Sequence, residues 1–178
     1  MKLILSLILL AAASLDGHAQ GLPFDEYQVK AAFLYNFAKF VEWPPGTFAG
    51  STDPIGICIL GENPFGSVLE DTVKDKKLGD RSFVVRRLAD AQQAGKCQIV
   101  FIGAAQWKRT STLPESLQGK GILTVGETDD FTALGGIINF RLDGPRVRIK
   151  VDLQAAERGK LRISSKLLSL AEIAKKQP

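Results

Sequence analysis

The chain has 178 residues, of which 45% are hydrophobic and 24% are charged, and its formal net charge is +4. This length and apolar content fit one globular domain and exclude a disordered or collagen-like chain. The 23 lysines and arginines are scattered along the chain without a basic run, so we expect no nucleic acid polymer as a partner.

The first residues are typical of a secretory signal peptide. Lys2 is followed by an apolar run over residues 3–13 and then by small residues up to Ala19. This run is shorter than the ~20 apolar residues needed to cross a bilayer, although an uncleaved membrane anchor is the alternative. We expect residues 1–19 to be removed as a signal peptide and residues 20–178 to form a single exported α/β domain.

Export would also remove the only histidine, His18. Catalysis by Ser-His-Asp or Cys-His groups and histidine zinc sites are then excluded, and two cysteines are too few for a thiolate zinc site. We therefore expect no enzyme activity, no metal and no cofactor. In an oxidising compartment, Cys58 and Cys97 are expected to form a structural disulfide, with two buried free thiols or a redox switch as alternatives.

The first predicted element is a helix that starts after Asp25, which fits the N-cap position. Apolar residues recur at helical spacing until the Trp43-Pro44 pair ends the helix. Because the helix is apolar on most sides, its own sheet or a second copy of the protein has to cover it. We assign four aromatic residues to dimer or partner packing, with core packing or loop anchoring as the alternative for Trp43: Phe33, Phe37, Phe40 and Trp43.

Strands and helices then alternate. Short apolar runs predict strands at 55–60, 82–88, 97–102 and 121–125. A helix from Asn63 to about Val73 is predicted after the first of these strands. Apolar strands alternating with helices are typical of a parallel sheet covered on both faces. A Cys58–Cys97 disulfide would make the first and third strands neighbours, as in the 2-1-3 order of flavodoxin-like folds.

The last third of the chain breaks the alternation. Asp143-Gly144-Pro145 predicts the turn of a hairpin between strands at 136–142 and 146–153. A terminal helix capped by Ser164 or Ser165 is predicted to follow, and its buried side would carry Leu167, Leu168, Ala171 and Ala174. We therefore predict one three-layer α/β domain with a mostly parallel, flavodoxin-like sheet, followed by a C-terminal β-hairpin and helix.

Two groups of residues are candidates for binding. In the second hairpin strand, basic residues alternate with apolar ones, so one strand face is core and the other is basic. Arginines suit the recognition of an acidic ligand or partner, and a solvated strand face is the alternative. The basic candidates are Arg146, Arg148, Lys150 and Arg162. A strand-to-helix turn favours an anion, although a simple tight turn is the alternative here. Its residues are Gly61, Asn63 and Gly66.

Residues 26–44 (EYQVKAAFLYNFAKFVEWP) resemble the opening motif of the YfiR/HmsC family. Further matches follow in order over essentially the whole mature chain: ICILG at 57–61, NPFG at 63–66, Cys97, GGIINF at 135–140 and ISSKLL at 163–168. Other members can carry a second cysteine pair, whereas this chain has only Cys58 and Cys97, and it has Asp152 where Asn is expected.

The resemblance implies a homodimeric periplasmic regulator that is not an enzyme. Such a regulator binds and inhibits the periplasmic sensor domain of an inner-membrane diguanylate cyclase, which lowers cyclic di-GMP signalling and biofilm output. An OmpA-like outer-membrane lipoprotein is the expected second partner, which sequesters the inhibitor. The residues themselves leave an alternative open, namely a periplasmic sensor that binds a nucleotide or another small anionic metabolite.

Overall fold

The structure is a computed structural model that describes residues 25–174. The expected signal peptide at residues 1–19 lies outside the described residues. Within residues 25–174, none of the helices combines the length and the hydropathy that a membrane crossing requires.

The described part of the chain folds into five α-helices and ten strands. The helices are α1 (Glu26–Phe40), α2 (Val68–Val73), α3 (Ala104–Thr110), α4 (Leu153–Arg158) and α5 (Ser165–Leu168). The strands are β1 (Val41–Glu42), β2 (Ile55–Leu60), β3 (Lys77–Leu78), β4 (Arg81–Leu88), β5 (Ile99–Ile102), β6 (Leu123–Gly126), β7 (Ile138–Asp143), β8 (Arg146–Val151), β9 (Arg162–Ile163) and β10 (Ala171–Ile173). Short 3-10 helices cover Ala91–Lys96 and Glu115–Leu117.

The main sheet has eight strands in the order β10-β8-β7-β6-β5-β2-β4-β3. Its five central strands, from β4 to β7, are parallel and follow the flavodoxin-like order. The hairpin strand β8 is antiparallel to β7, and β10 runs parallel to β8 at the edge. The predicted mostly parallel, flavodoxin-like sheet with a C-terminal hairpin is therefore confirmed. Strands β1 and β9 form a separate two-stranded antiparallel sheet.

The predicted disulfide is confirmed. Cys58 of β2 is bonded to Cys97, which lies just before β5, and their Cα atoms are 5.8 Å apart. Both residues are buried. The bond thus links β2 to the segment that leads into its neighbour β5, in agreement with the 2-1-3 order.

Helices cover both faces of the central strands, which confirms the three-layer prediction. Ile57 and Ile59 of β2 belong to the larger core, together with Phe37 of α1 and Leu69 of α2. The alternate residues of β2 belong to a smaller core with Trp107 of α3. We call the first side the α1 face of the sheet and the second side the α3 face.

The chain after Ser164 differs from the predicted terminal helix. The helix α5 is a single turn, capped by the Ser164 side chain, and the chain then continues as β10. The placement of Ala171 and Ala174 on a buried helix side is therefore wrong. Without β10, the backbone groups along one side of β8 would lack hydrogen-bond partners. The residues after α5 supply them: Ala174 N–H, for example, donates to Val151 O at 2.8 Å. Such pairing outweighs local helix propensity.

The helix predicted from Asn63 begins later, at Val68, and ends at Val73 as expected. The Asn63 side chain closes a turn instead: its Oδ1 accepts from Phe65 N–H at 2.9 Å and its Nδ2 donates to Gly66 O at 2.8 Å. Gly66 has a φ of +58°, which is incompatible with a right-handed helix. The predicted start of this helix is therefore wrong.

Candidate functional site

The α3 face of the sheet is covered over its central strands and open over the hairpin. Side chains on this face of β8, β10 and the outer part of β7 are exposed, apart from Lys150, which is half-buried. Asn139, which pairs with Lys150 at the inner end of β7, is fully buried. Alternation along β8 puts the basic residues on this face, while Val147, Ile149 and Val151 are buried on the α1 face. We define the open basic face by its six charged residues: Arg141, Asp143, Arg146, Arg148, Lys150 and Glu172.

The open basic face has four cations and two carboxylates. Arg141 Nη1 donates to Glu172 Oε2 at 2.8 Å, and Arg148 Nε lies 3.5 Å from Asp143 Oδ2. Among residues 25–174, Arg146 and Lys150 have no carboxylate oxygen within 4 Å. These two cations are therefore available to the carboxylates of a partner.

Apolar side chains lie beside these charges. Leu142 is 55% exposed and Leu170 is 64% exposed, and both line a groove of about 480 Å³ together with Arg141 and Arg148. Ile173 of β10 is also exposed and, like Leu142, lies on the α1 face, so these apolar side chains adjoin the charges across the sheet edge. Exposed leucines bordered by arginines are typical of surfaces that bind other proteins.

A second groove, of about 790 Å³, lies at the other end of β8 and β10 and includes Lys150 and Arg158. Its carboxylates are already engaged: Asp152 caps α4 by accepting from Gln154 N–H at 2.9 Å, and Glu172 is paired with Arg141. The two cations have no ion pair among the described residues. The sequence raised a small anionic ligand as the alternative function, and such a ligand would need cations without an ion pair, as Lys150 and Arg158 are in this groove.

Arg162 is not part of the open basic face. It lies in β9, opposite Glu42 of β1, and its Nε is 3.7 Å from Glu42 Oε2. The structure therefore brings together three of the four basic candidates, Arg146, Arg148 and Lys150, and places Arg162 in the separate two-stranded sheet.

The aromatic candidates for dimer or partner packing have different environments. Phe37 is fully buried and stacks on Phe140, with ring centroids 5.8 Å apart. Phe33 and Phe40 are half-buried against the same core. Trp43 Nε1 donates to Gln98 O at 3.3 Å. Phe37 is therefore used in the chain's own core, while the other three retain some accessible surface and their packing role stays a prediction.

The predicted anion turn does not present an open cradle of donors. Gly61 has a φ of +85°, and Gln106 of α3 lies so close that a Cβ at Gly61 would be 2.5 Å from its Oε1. Both polar atoms of the Asn63 side chain are bonded within the turn. The geometry at Gly61, Asn63 and Gly66 thus serves turn closure.

The structure also shows a buried ionic cluster that sequence reasoning missed. The Lys30 side chain is 3% exposed, pairs with Glu26 on the same helix, and has its Nζ 2.6 Å from Glu127 Oε2. Burial, together with the carboxylates of Glu127 and Glu26, raises the pKa of Tyr27 to about 12. The available signal was a lysine inside an apolar helix with a glutamate four residues before it.

This cluster connects three elements. Glu127 directly follows β6, and its Oε1 accepts from Ala104 N–H at the start of α3 at 2.9 Å. Through Lys30, the same carboxylate holds the N-terminal half of α1. All charged members are paired within the chain, so the cluster fixes α1 on the sheet rather than presenting a free group.

The fold and the open basic face together define a class: a flavodoxin-like α/β domain in which one face of the sheet is partly exposed and basic. Residues 27–172 match the YfiR/HmsC-like family, and the chain belongs to that family. Members of this family are periplasmic proteins with a regulatory role, associated with the control of diguanylate cyclases.

A solved structure with a similar fold is that of a conserved domain protein from Vibrio cholerae O1 biovar El Tor strain N16961. The TM-score is 0.54 and the sequence identity is 11%. The match covers 84% of this chain and 60% of the Vibrio chain, so this chain spans well under the full length of that protein. At this identity the similarity concerns the fold alone.

Proposed function

We propose that this protein is a periplasmic inhibitor of an inner-membrane diguanylate cyclase, which binds the sensor domain of the cyclase through the open basic face. Family membership supports the regulatory role. The observation that carries the binding surface is the uncovered α3 face of β8, where Arg146 and Lys150 have no ion pair within the described residues. The exposed Leu142 and Leu170 line a groove with Arg141 and Arg148 of the same surface.

Inhibition follows from a difference in affinity between two states of the cyclase. A protein that binds the inactive conformation of the sensor domain more tightly than the active one shifts the population toward the inactive form. A preformed rigid surface suits this role, because little binding free energy is lost in ordering it. The strands of the open basic face are fixed by pairing with β7 and by the buried residues of β8.

A genetic test uses a strain in which a membrane diguanylate cyclase is encoded beside this gene. We expect deletion of the gene to raise cellular cyclic di-GMP and biofilm formation, and the wild-type gene to restore both. The triple variant Arg146→Glu, Arg148→Glu, Lys150→Glu should fail to restore them, because it reverses the charge that attracts an acidic partner.

The matched control reverses three exposed lysines near the opposite edge of the sheet: Lys74→Glu, Lys76→Glu and Lys77→Glu. It changes the net charge by the same amount and should complement the deletion. An unchanged cyclic di-GMP level after deletion would contradict the proposed function. Failure of both triple variants would contradict the assignment of the surface.

A further inference from the structure

The strand β10 forms one edge of the main sheet. It pairs with β8 on one side, and within residues 25–174 no strand pairs with its other side. An unpaired edge presents a row of free N–H and C=O groups that can accept an additional strand.

The backbone groups that face outward can be identified. Ala174 N–H donates to Val151 O of β8, and backbone groups alternate in direction along a strand. The N–H and C=O of Glu172 therefore face β8, whereas those of Ala171 and Ile173 face away from the sheet. These two residues supply the free donors and acceptors of the edge.

The two edges of the sheet differ in their protection. The opposite edge is formed by β3, only two residues long, and by residues 83–88 of β4, with which β3 does not pair. This edge contains Lys77 of β3 and Arg86 and Arg87 of β4, and charged side chains on an edge oppose the addition of strands. The β10 edge instead has Leu170 64% exposed and Ile173 42% exposed, and its single charged residue, Glu172, is paired with Arg141.

We propose that the β10 edge binds an extended, acidic segment of the partner protein as an added strand. The inference rests on the proposed function and specifies how the cyclase domain docks. An added strand lies about 4.8 Å from β10 and about twice that distance from β8. Its carboxylates adjoin Glu172, whose charge Arg141 offsets, and they attract the long side chains of Arg148 and Lys150 on β8, while its apolar residues contact Leu170 and Ile173. Main-chain hydrogen bonds contribute affinity, and the side chains select an acidic segment.

Charge distinguishes this occupant from a second copy of the chain. Two copies joined at their β10 edges would bring two open basic faces together, each with four cations and two carboxylates. An acidic segment complements this charge, whereas a second copy repeats it. The β10 edge is therefore assigned to a different protein.

Amide hydrogen exchange tests the added strand directly. The mature protein is measured by NMR alone and in complex with the periplasmic domain of the diguanylate cyclase encoded beside its gene. We expect the amide exchange rates of Ala171 and Ile173 to fall by at least about tenfold in the complex, because each N–H gains a hydrogen-bond acceptor. The exchange rate of the Glu172 amide should change less, because this N–H already faces β8.

A second measurement uses Ile173→Pro, which removes one outward N–H and leaves the pairing with β8 intact. We expect the Kd for the cyclase domain to rise about tenfold, whereas Ile173→Val, which keeps the N–H, stays within about twofold. Circular dichroism and the Tm verify that both variants are folded.

The outcomes separate the two proposals. A complex that forms without slower exchange at Ala171 and Ile173 overturns the added strand and leaves the proposed function standing. An unchanged Kd for a folded Ile173→Pro variant does the same. Absence of any complex with the cyclase domain overturns both proposals.

Discussion

At the scale of single residues, Lys30 shows how the first helix is held. Its ammonium group is buried between Glu26 and Glu127 and lies 4.7 Å from the centre of the Tyr27 ring. Moving a lysine out of water is costly unless carboxylates compensate its charge. The two carboxylates also depend on Lys30, because Glu127 is itself largely buried.

Replacement of Lys30 by methionine should lower the free energy of unfolding by about 3–5 kcal/mol, because the buried Glu127 carboxylate loses its partner. Urea unfolding of the purified protein measures the change. The double variant Lys30→Met, Glu127→Gln should recover part of the loss, since the unpaired charge is removed. A single variant as stable as wild type would show that the ion pair does not fix α1.

Residue patterns predicted part of the candidate site. Alternation along the second hairpin strand was sufficient to place Arg146, Arg148 and Lys150 on one exposed face. It was not sufficient for Arg162, because strand alternation says nothing about which sheet a short strand joins. Lys30 was missed because a lysine inside an apolar helix looks like a surface residue until Glu127, 97 residues further along, meets it in the fold.

At the scale of elements, the disulfide ties β2 to the start of β5, two strands at the centre of the sheet. The cysteines are separated by 39 residues in sequence. In the chain-entropy account, closing a loop of this length stabilises the folded state by about 4 kcal/mol, because the unfolded chain loses conformational freedom. This stabilisation is largest for parallel neighbouring strands joined by a long connection, because bringing their distant residues together costs the most chain entropy.

The double variant Cys58→Ala, Cys97→Ala should therefore unfold at lower urea concentration, with a loss of about 2–4 kcal/mol. Wild-type protein unfolded in the presence of dithiothreitol should show a similar loss. If removal of the bond left the urea midpoint unchanged, the stabilising role would be refuted. Binding of the partner should persist, because neither cysteine is part of the open basic face.

The elements that were predicted well are those with a strong local signal. The apolar run at Ile55–Leu60 and the N-cap Asp25 marked β2 and the start of α1 correctly. The region after Ser164 shows the limit of local signals. Ser164 does cap a helix, but β8, which precedes the cap in the chain, has a free edge with which the following residues pair as β10.

At the scale of the whole molecule, the sheet divides into two halves with different roles. The central strands are covered on both faces and contain the two hydrophobic cores and the disulfide. The hairpin is covered by the chain on the α1 face at Ile149 and Val151, although Leu142 and Ile173 stay exposed near the sheet edge, and it leaves charged side chains exposed on the other face. The central strands stabilise the fold, and the hairpin, which pairs with them through β7 and β6, presents the exposed charged surface.

If the open basic face guides the partner, association should depend on salt. The Debye length falls from about 10 Å at 0.1 M salt to about 3 Å at 1 M, so attraction between charged surfaces is screened before contact. We expect the association rate constant with the cyclase domain to fall about tenfold over this range, measured by stopped-flow fluorescence, while the dissociation rate constant changes less because it depends on close contacts.

The variant with Glu at 146, 148 and 150 should lose this salt dependence, and the control with Glu at 74, 76 and 77 should keep it. An association rate constant independent of salt in the wild type would mean that the cations of β8 do not face the partner.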